Sequence, residues 1–168
     1  MSETMAPEEA ARLMNRFYAV AAHVLSFADA VIDKLVGDEV MALFVPGFAG
    51  RDYLQKMASA AESLLVGVGY GPRGDPWLPL GVGMDRGLAF VGNVGAGEVK
   101  DFTALGDVVN TAARLQAEAK AGQIVMSERV FEQVAARYPD AQPVELELKG
   151  KSEPVAARVV EFAAAART

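Results

Sequence analysis

Apolar residues recur at three- and four-residue steps at Leu13, Met14, Phe17, Val20, Ala21 and Val24, predicting an amphipathic helix over residues 7–25. Glu8 and Glu9 stand early in it, where the helix dipole favours negative charge. Two runs rich in β-formers, 31–35 and 39–44, flank the turn signal Val36-Gly37-Asp38 and predict a hairpin. After a loop over 46–50, helical spacing returns at Tyr53, Leu54, Met57, Ala60, Ala61, Leu64 and Leu65 and runs to Gly67. Four glycines and three prolines mark 67–79 as a loop. Strand-like stretches at 80–84 and 88–94 predict a second hairpin around Asp85-Arg86-Gly87, followed by a glycine-rich, charged loop from Gly95 to Leu105. Gly106-Asp107 then opens a helix whose packed side is marked by Val108, Val109, Ala112, Ala113 and Leu115, ending near Gly122. A brief strand at 123–126 precedes Ser127, a good N-cap for a helix to about Arg137. Runs 144–148 and 155–160 form a last hairpin around Lys149-Gly150-Lys151, and 163–168 is expected to fray. The pattern is α+β, with helices on one face of a largely antiparallel sheet. Met41, Phe44 and Phe90 are expected in its core.

At 168 residues and 52% apolar content the chain suits one domain, spanning 1–168. A net charge of −6 and a pI near 4.8 argue against general nucleic-acid binding, which needs a basic surface. With no cysteine and one histidine, His23, thiolate and imidazole-rich metal sites are excluded, and a bound metal would sit on oxygen. His23 itself reads as a structural or surface residue. No apolar run approaches the roughly 20 residues of a membrane span, and no secretory leader is visible, so the expected location is soluble and cytoplasmic.

Two segments carry candidate chemistry. In Asp33-Lys34-Leu35-Val36-Gly37-Asp38-Glu39, a hairpin turn presents Asp38, a carboxylate suited to Mg²⁺, which needs only one or two protein carboxylates beside substrate phosphates. Taken alone, Gly-Asp reads first as simple turn chemistry, with Lys34 and Glu39 as solvated strand charges. In Gly106-Asp107-Val108-Val109-Asn110-Thr111-Ala112-Ala113-Arg114-Leu115, Asn110 and Arg114 stand four apart, one turn along the same helical face. An arginine there suits a transferring phosphoryl group, although an interior asparagine and a surface arginine are common by themselves.

Together and in this order, the segments resemble those of the class III adenylate and guanylate cyclases. Lys34 to Asp38 is similar to the family's Lys-x-x-Gly-Asp hairpin. Gly81 to Gly95 resembles its strand pair ending in Val-Gly-Asn-Val-Gly, Gly106 to Leu115 its Gly-Asp-x-Val-Asn-x-Ala-x-Arg-Leu helix, and Leu148-Lys149-Gly150 its closing hairpin. The resemblance implies a ferredoxin-like, palm-type cyclase domain of the bacterial adenylate cyclase type, using Mg²⁺ or Mn²⁺. It implies Asp38 as a metal ligand, Lys34 and Thr103 as readers of the adenine edge, Lys149 on the terminal phosphates, and Asn110 and Arg114 as transition-state stabilisers. Thr103 departs from the aspartate of the best-known adenylate cyclases, while Lys34 favours ATP over GTP because guanylate cyclases tend to carry glutamate there.

The same resemblance implies a head-to-tail homodimer with sites between its halves, ATP as partner and an upstream sensor or regulatory domain. The family's first strand and its metal aspartate are expected to be missing, since the chain opens where the first helices are already under way. On that reading the chain by itself makes little cyclic AMP. Ser26-Phe27-Ala28-Asp29 imitates the absent strand, but it follows the first helix, so Asp29 reads as a loop residue. The alternative reading is a non-catalytic, cyclase-like dimerisation or nucleotide-binding module. A diguanylate-cyclase-like reading rests on Gly37-Asp38-Glu39 and is disfavoured by the Asn110 and Arg114 helix.

Overall fold

The computed structural model describes residues 5–72, 74–96, 99–151 and 153–162. The expected frayed tail at 163–168 lies outside them. The chain divides between Val68 and Gly69 into two compact units.

In the first unit, α1 (Pro7–Phe27) buries Phe17, Ala21 and Leu25, spaced one turn apart as the pattern predicts. The helix α3 (Tyr53–Gly67) buries Leu54, Ala58, Ala61 and Leu65 at the same kind of spacing. The two pack closely, for a Cβ at Gly67 would lie 2.7 Å from Val20 Cγ1. Strands β1 (Val31–Val36) and β2 (Glu39–Leu43) pair antiparallel as expected. Ile32 faces Ala42 and Lys34 faces Met41, which leaves Asp33 as the extra residue of a bulge. The expected loop at 46–50 contains a one-turn helix, α2 (Pro46–Ala49), with a proline in its first turn. Four residues are too few to show a period.

In the second unit, β3 (Val82–Met84), β6 (Gln123–Ser127), β7 (Gln142–Leu146) and β8 (Val155–Glu161) form a sheet in the order β3-β6-β8-β7. The pairing of β3 with β6 is parallel and the other two are antiparallel. A separate ribbon pairs β4 (Phe90–Ala96) with β5 (Val99–Leu105). Two expectations are corrected here. Residues 80–84 and 88–94 do not form a hairpin, and the stretch expected as a loop before Leu105 is β5.

The reason lies in Asp85, which is no turn residue. Its side chain is fully buried. It accepts hydrogen bonds from the Ser127 hydroxyl at 2.6 Å, from Arg129 Nε at 2.7 Å and from the Arg86 backbone N–H at 2.8 Å. A buried carboxylate needs such partners, and meeting them ties the end of β3 to the start of α5 (Glu128–Val134). Ser127 stands at the predicted N-cap position, yet its hydroxyl serves Asp85 instead of its own helix. A 3₁₀ turn, Ala135–Arg137, completes that helix, and Arg158 of β8 pairs with Glu128 at 2.9 Å.

Helix α4 (Asp107–Glu118) lies on β3. A Cβ at Gly83 would stand 2.3 Å from Gln116 N and 2.4 Å from Ala112 O, so the helix backbone rests on bare strand. Its deeply buried residues are Thr111 and Leu115, whereas Val108, Val109 and Ala112 are half-buried and Ala113 is exposed. The expected packed side was therefore rotated too far, because glycine on the strand lets a narrow stripe make the contact. Leu115 joins Val125, Leu148 and Ala157 in the core. Met41 and Phe44 are half-buried and Phe90 is 57% exposed, against the expectation that all three are core. The fold class stands as α+β.

Candidate active site

The first unit presents Lys34 and Asp38 on one hairpin. Gly37 takes φ 60 at the first position of the turn, a conformation that suits glycine and lets the strands reverse within two residues. Asp38 follows it and is exposed, while Lys34 is half-buried on β1. The Tyr18 hydroxyl donates to the Gly37 carbonyl at 2.5 Å and so ties the hairpin tip to α1. Asp29 lies in the turn after α1 at φ 57 and pairs with Lys56 at 2.7 Å. It is a loop residue with a structural partner.

In the second unit, Asn110 is exposed and Arg114 half-buried, one turn apart on α4. The turn joining β7 to β8 comes up against them at Gly150, whose φ is 78. A Cβ there would lie 3.1 Å from Arg114 Nη2. Lys151 Nζ donates to Asp107 Oδ2 at 2.5 Å, which joins the same turn to the start of α4. The hydrogen bond from Lys151 holds the Asp107 carboxyl below its usual range, with Arg129 and Arg114 adding to the effect. Lys149 is exposed, on a turn that lines a cleft of about 400 Å³.

Thr103 is placed differently. It sits on β5 opposite Gly92 and is only 6% exposed. The ring of Phe90 lies within 3.0 Å of where a Gly92 Cβ would be, on the ribbon face that Thr103 shares. The structure thus brings Arg114 to the Lys149 turn and keeps Thr103 buried on the ribbon. Asp107, Lys151 and Tyr18 are absent from the residues expected by sequence. Asp107 and Lys151 stand within recognisable motifs, but nothing local announces a pairing between positions so far apart.

Residues 1–158 match the family model of the adenylate and guanylate cyclase catalytic domain. The chain belongs to that family. It is 30% identical over 168 residues to an adenylate cyclase of Anabaena cylindrica, an alignment that takes in 92% of this chain and 33% of that protein. The chain thus spans about a third of that relative's length. Among solved structures it resembles the guanylyl cyclase Cya2, with a TM-score of 0.81, 22% identity and coverage of 96% of this chain and 85% of that one. It also resembles the adenylyl cyclase CyaB from P. aeruginosa, with a TM-score of 0.68, 24% identity and coverage of 95% and 86%. These two likenesses establish the cyclase fold.

Cyclases of this family imply a divalent metal, and the donor set here fits part of such a site. Asp38 offers an exposed carboxylate at a hairpin tip, suited to a hard cation that also takes water and substrate phosphate. Among the described residues no three histidine or acidic side chains gather into a metal cluster. Nor is any described helix long and apolar enough to cross a membrane.

Proposed function

We propose that both units are parts of one cyclase domain that converts ATP to cyclic AMP and pyrophosphate within a head-to-tail homodimer. The observation that carries this reading is the approach of Arg114 to the Lys149-Gly150-Lys151 turn. It gathers a forked cation and a mobile point charge where a triphosphate would lie. Attack of the ribose 3′ oxygen on the α-phosphorus builds negative charge on the phosphoryl oxygens, and Arg114 and Asn110 donate to it from one face of α4. Lys149 takes the terminal phosphates that leave as pyrophosphate. Lys34 donates to adenine N1, which lacks a hydrogen, and Thr103 meets the exocyclic edge. Asp38 would hold Mg²⁺ or Mn²⁺, which when bound would supply electrostatic polarisation of the substrate.

Base choice rests on Lys34. The chain should bind ATP in preference to GTP in direct competition, since guanine N1 carries its own hydrogen and would oppose the ammonium donor. Lys34→Glu should shift the preference toward GTP. Equal or tighter GTP binding by the natural sequence removes the adenine-reading role.

The homodimer is supported by the β4–β5 ribbon, which leaves Phe90, Val91, Phe102 and Leu105 exposed, with exposed Leu88 just before it. So much apolar surface on one ribbon is what a second copy would cover. Sedimentation at rising concentration should show a monomer-to-dimer shift. A strict monomer at high concentration, with and without an ATP analogue, counts against it. The length of the Anabaena relative supports a regulatory or sensor segment elsewhere in the natural protein.

The second reading is a nucleotide-binding regulatory module without turnover, favoured by the lack, among the described residues, of any cluster of three acidic or histidine side chains that could hold a metal. A coupled metal and ATP titration separates the two. Metal-dependent ATP binding with cyclic AMP release supports the enzyme, and metal-independent binding without product supports the module.

A further inference from the structure

The two lysines of the Lys149-Gly150-Lys151 turn are used differently, and the difference originates at Asp107. Lys151 is committed to Asp107 Oδ2, whereas Lys149 is exposed and makes no ion pair among the described residues. Among the described residues of the turn, few other contacts hold it. Leu148 is buried at its start and the Lys151 N–H bonds back to the Leu148 carbonyl at 3.0 Å, but Lys149, Gly150, Glu153 and Pro154 are exposed. Its approach to α4 also brings like charges together, with the Arg114 guanidinium beside Gly150 and the Lys151 ammonium one residue on. Asp107, in the first turn of α4, is the carboxylate placed to offset that repulsion.

Stability is not what this contact is for. The Asp107 side chain is 69% exposed, and exposed ion pairs add little to folding. What the pair does is join two parts of the substrate site, the turn that bears Lys149 and the helix that bears Asn110 and Arg114.

We propose that Asp107 is a positioning residue which, through Lys151, holds the Lys149-Gly150-Lys151 turn against the first turns of α4, so that Lys149 and Arg114 meet the same triphosphate. The proposal rests on the cyclase reading given above. Lys151 then acts as a strap, and Lys149 is the lysine that meets phosphate.

The test is binding of ATP and of AMP to Asp107→Asn, Lys151→Gln and the double variant, with melting temperatures measured alongside. Each single variant should weaken ATP binding about fivefold, the upper range for an exposed ion pair, and leave AMP binding and melting unchanged. The double variant should lose no more than either single one, and Asp107→Glu should recover most of the loss. Unchanged or tighter ATP binding in Asp107→Asn overturns the strap, as do additive losses in the double variant. Amide hydrogen exchange gives a readout that needs no nucleotide. Gly150 and Lys151 should exchange faster in both single variants, and unchanged exchange also overturns the proposal. The cyclase reading fails separately, if the natural sequence binds no ATP or if Arg114→Ala and Lys149→Ala both bind ATP normally.

Discussion

On the proposed adenylate cyclase reading, Arg114→Ala should lower cyclic AMP formation at least about 100-fold, the cost seen when one preorganised donor to a developing oxyanion is removed. The guanidinium is half-buried on α4 and held beside Gly150, so little of its freedom remains to be lost when substrate arrives. Its donors need not reorganise as the phosphoryl oxygens gain charge. The loss should fall mainly on the turnover number, because the interaction strengthens in the transition state. Arg114→Lys should recover little, since an ammonium restores the charge but not the planar fork. Turnover and circular dichroism measured together decide the matter. A well-folded Arg114→Ala protein with turnover near that of the natural sequence would remove Arg114 from the mechanism.

Gly83→Ala should destabilise the second unit by about 3 kcal/mol, the upper end of ordinary overpacking. The new Cβ would stand 2.3 Å from Gln116 N and 2.4 Å from Ala112 O, and both are helix backbone. No side chain can turn aside to make room. The helix must lift from β3, and the packing of Thr111 and Leu115 goes with it. Because α4 also carries Asn110 and Arg114, nucleotide binding should weaken in the same variant even where the protein remains folded. Gly47→Ala is the control, since a Cβ there meets nothing within 4 Å. Urea denaturation of the two variants checks the claim, and equal midpoints would show that α4 does not rest on β3 as described.

What was legible in the sequence is what a short window can carry. The three- and four-residue spacing of Leu13, Met14, Phe17, Val20, Ala21 and Val24 located α1 because its packed face repeats within the helix itself. Gly37-Asp38 located the first hairpin because the turn and both strands are contiguous. Asp85-Arg86-Gly87 misled for the complementary reason. Its composition is that of a turn, but the partners that bury Asp85 are Ser127 and Arg129, and no local pattern announces them. The strand β5 escaped notice because Phe102 and Leu105 remain exposed, so its alternation does not track burial within one chain. Among the candidate site residues, Asn110 and Arg114 share a helical turn and were visible as a pair. The nearness of Arg114 to Gly150 depends on how β7 and β8 return to the sheet, which is a property of the tertiary structure alone.

The parallel pairing of β3 with β6 means that the β4–β5 ribbon is inserted between a strand and the crossover helix that leads to its neighbour. Both ends of the insertion are anchored independently of it, at Asp85 by Ser127 and Arg129 and at Asp107 by Lys151. Changes in the ribbon's length, tip or outward side chains therefore leave the βαβ framework and the Asn110 and Arg114 helix undisturbed. Over evolutionary time such an arrangement lets the ribbon's outward surface and the framework be tuned apart, with Thr103, buried on the ribbon, the point at which the two remain linked.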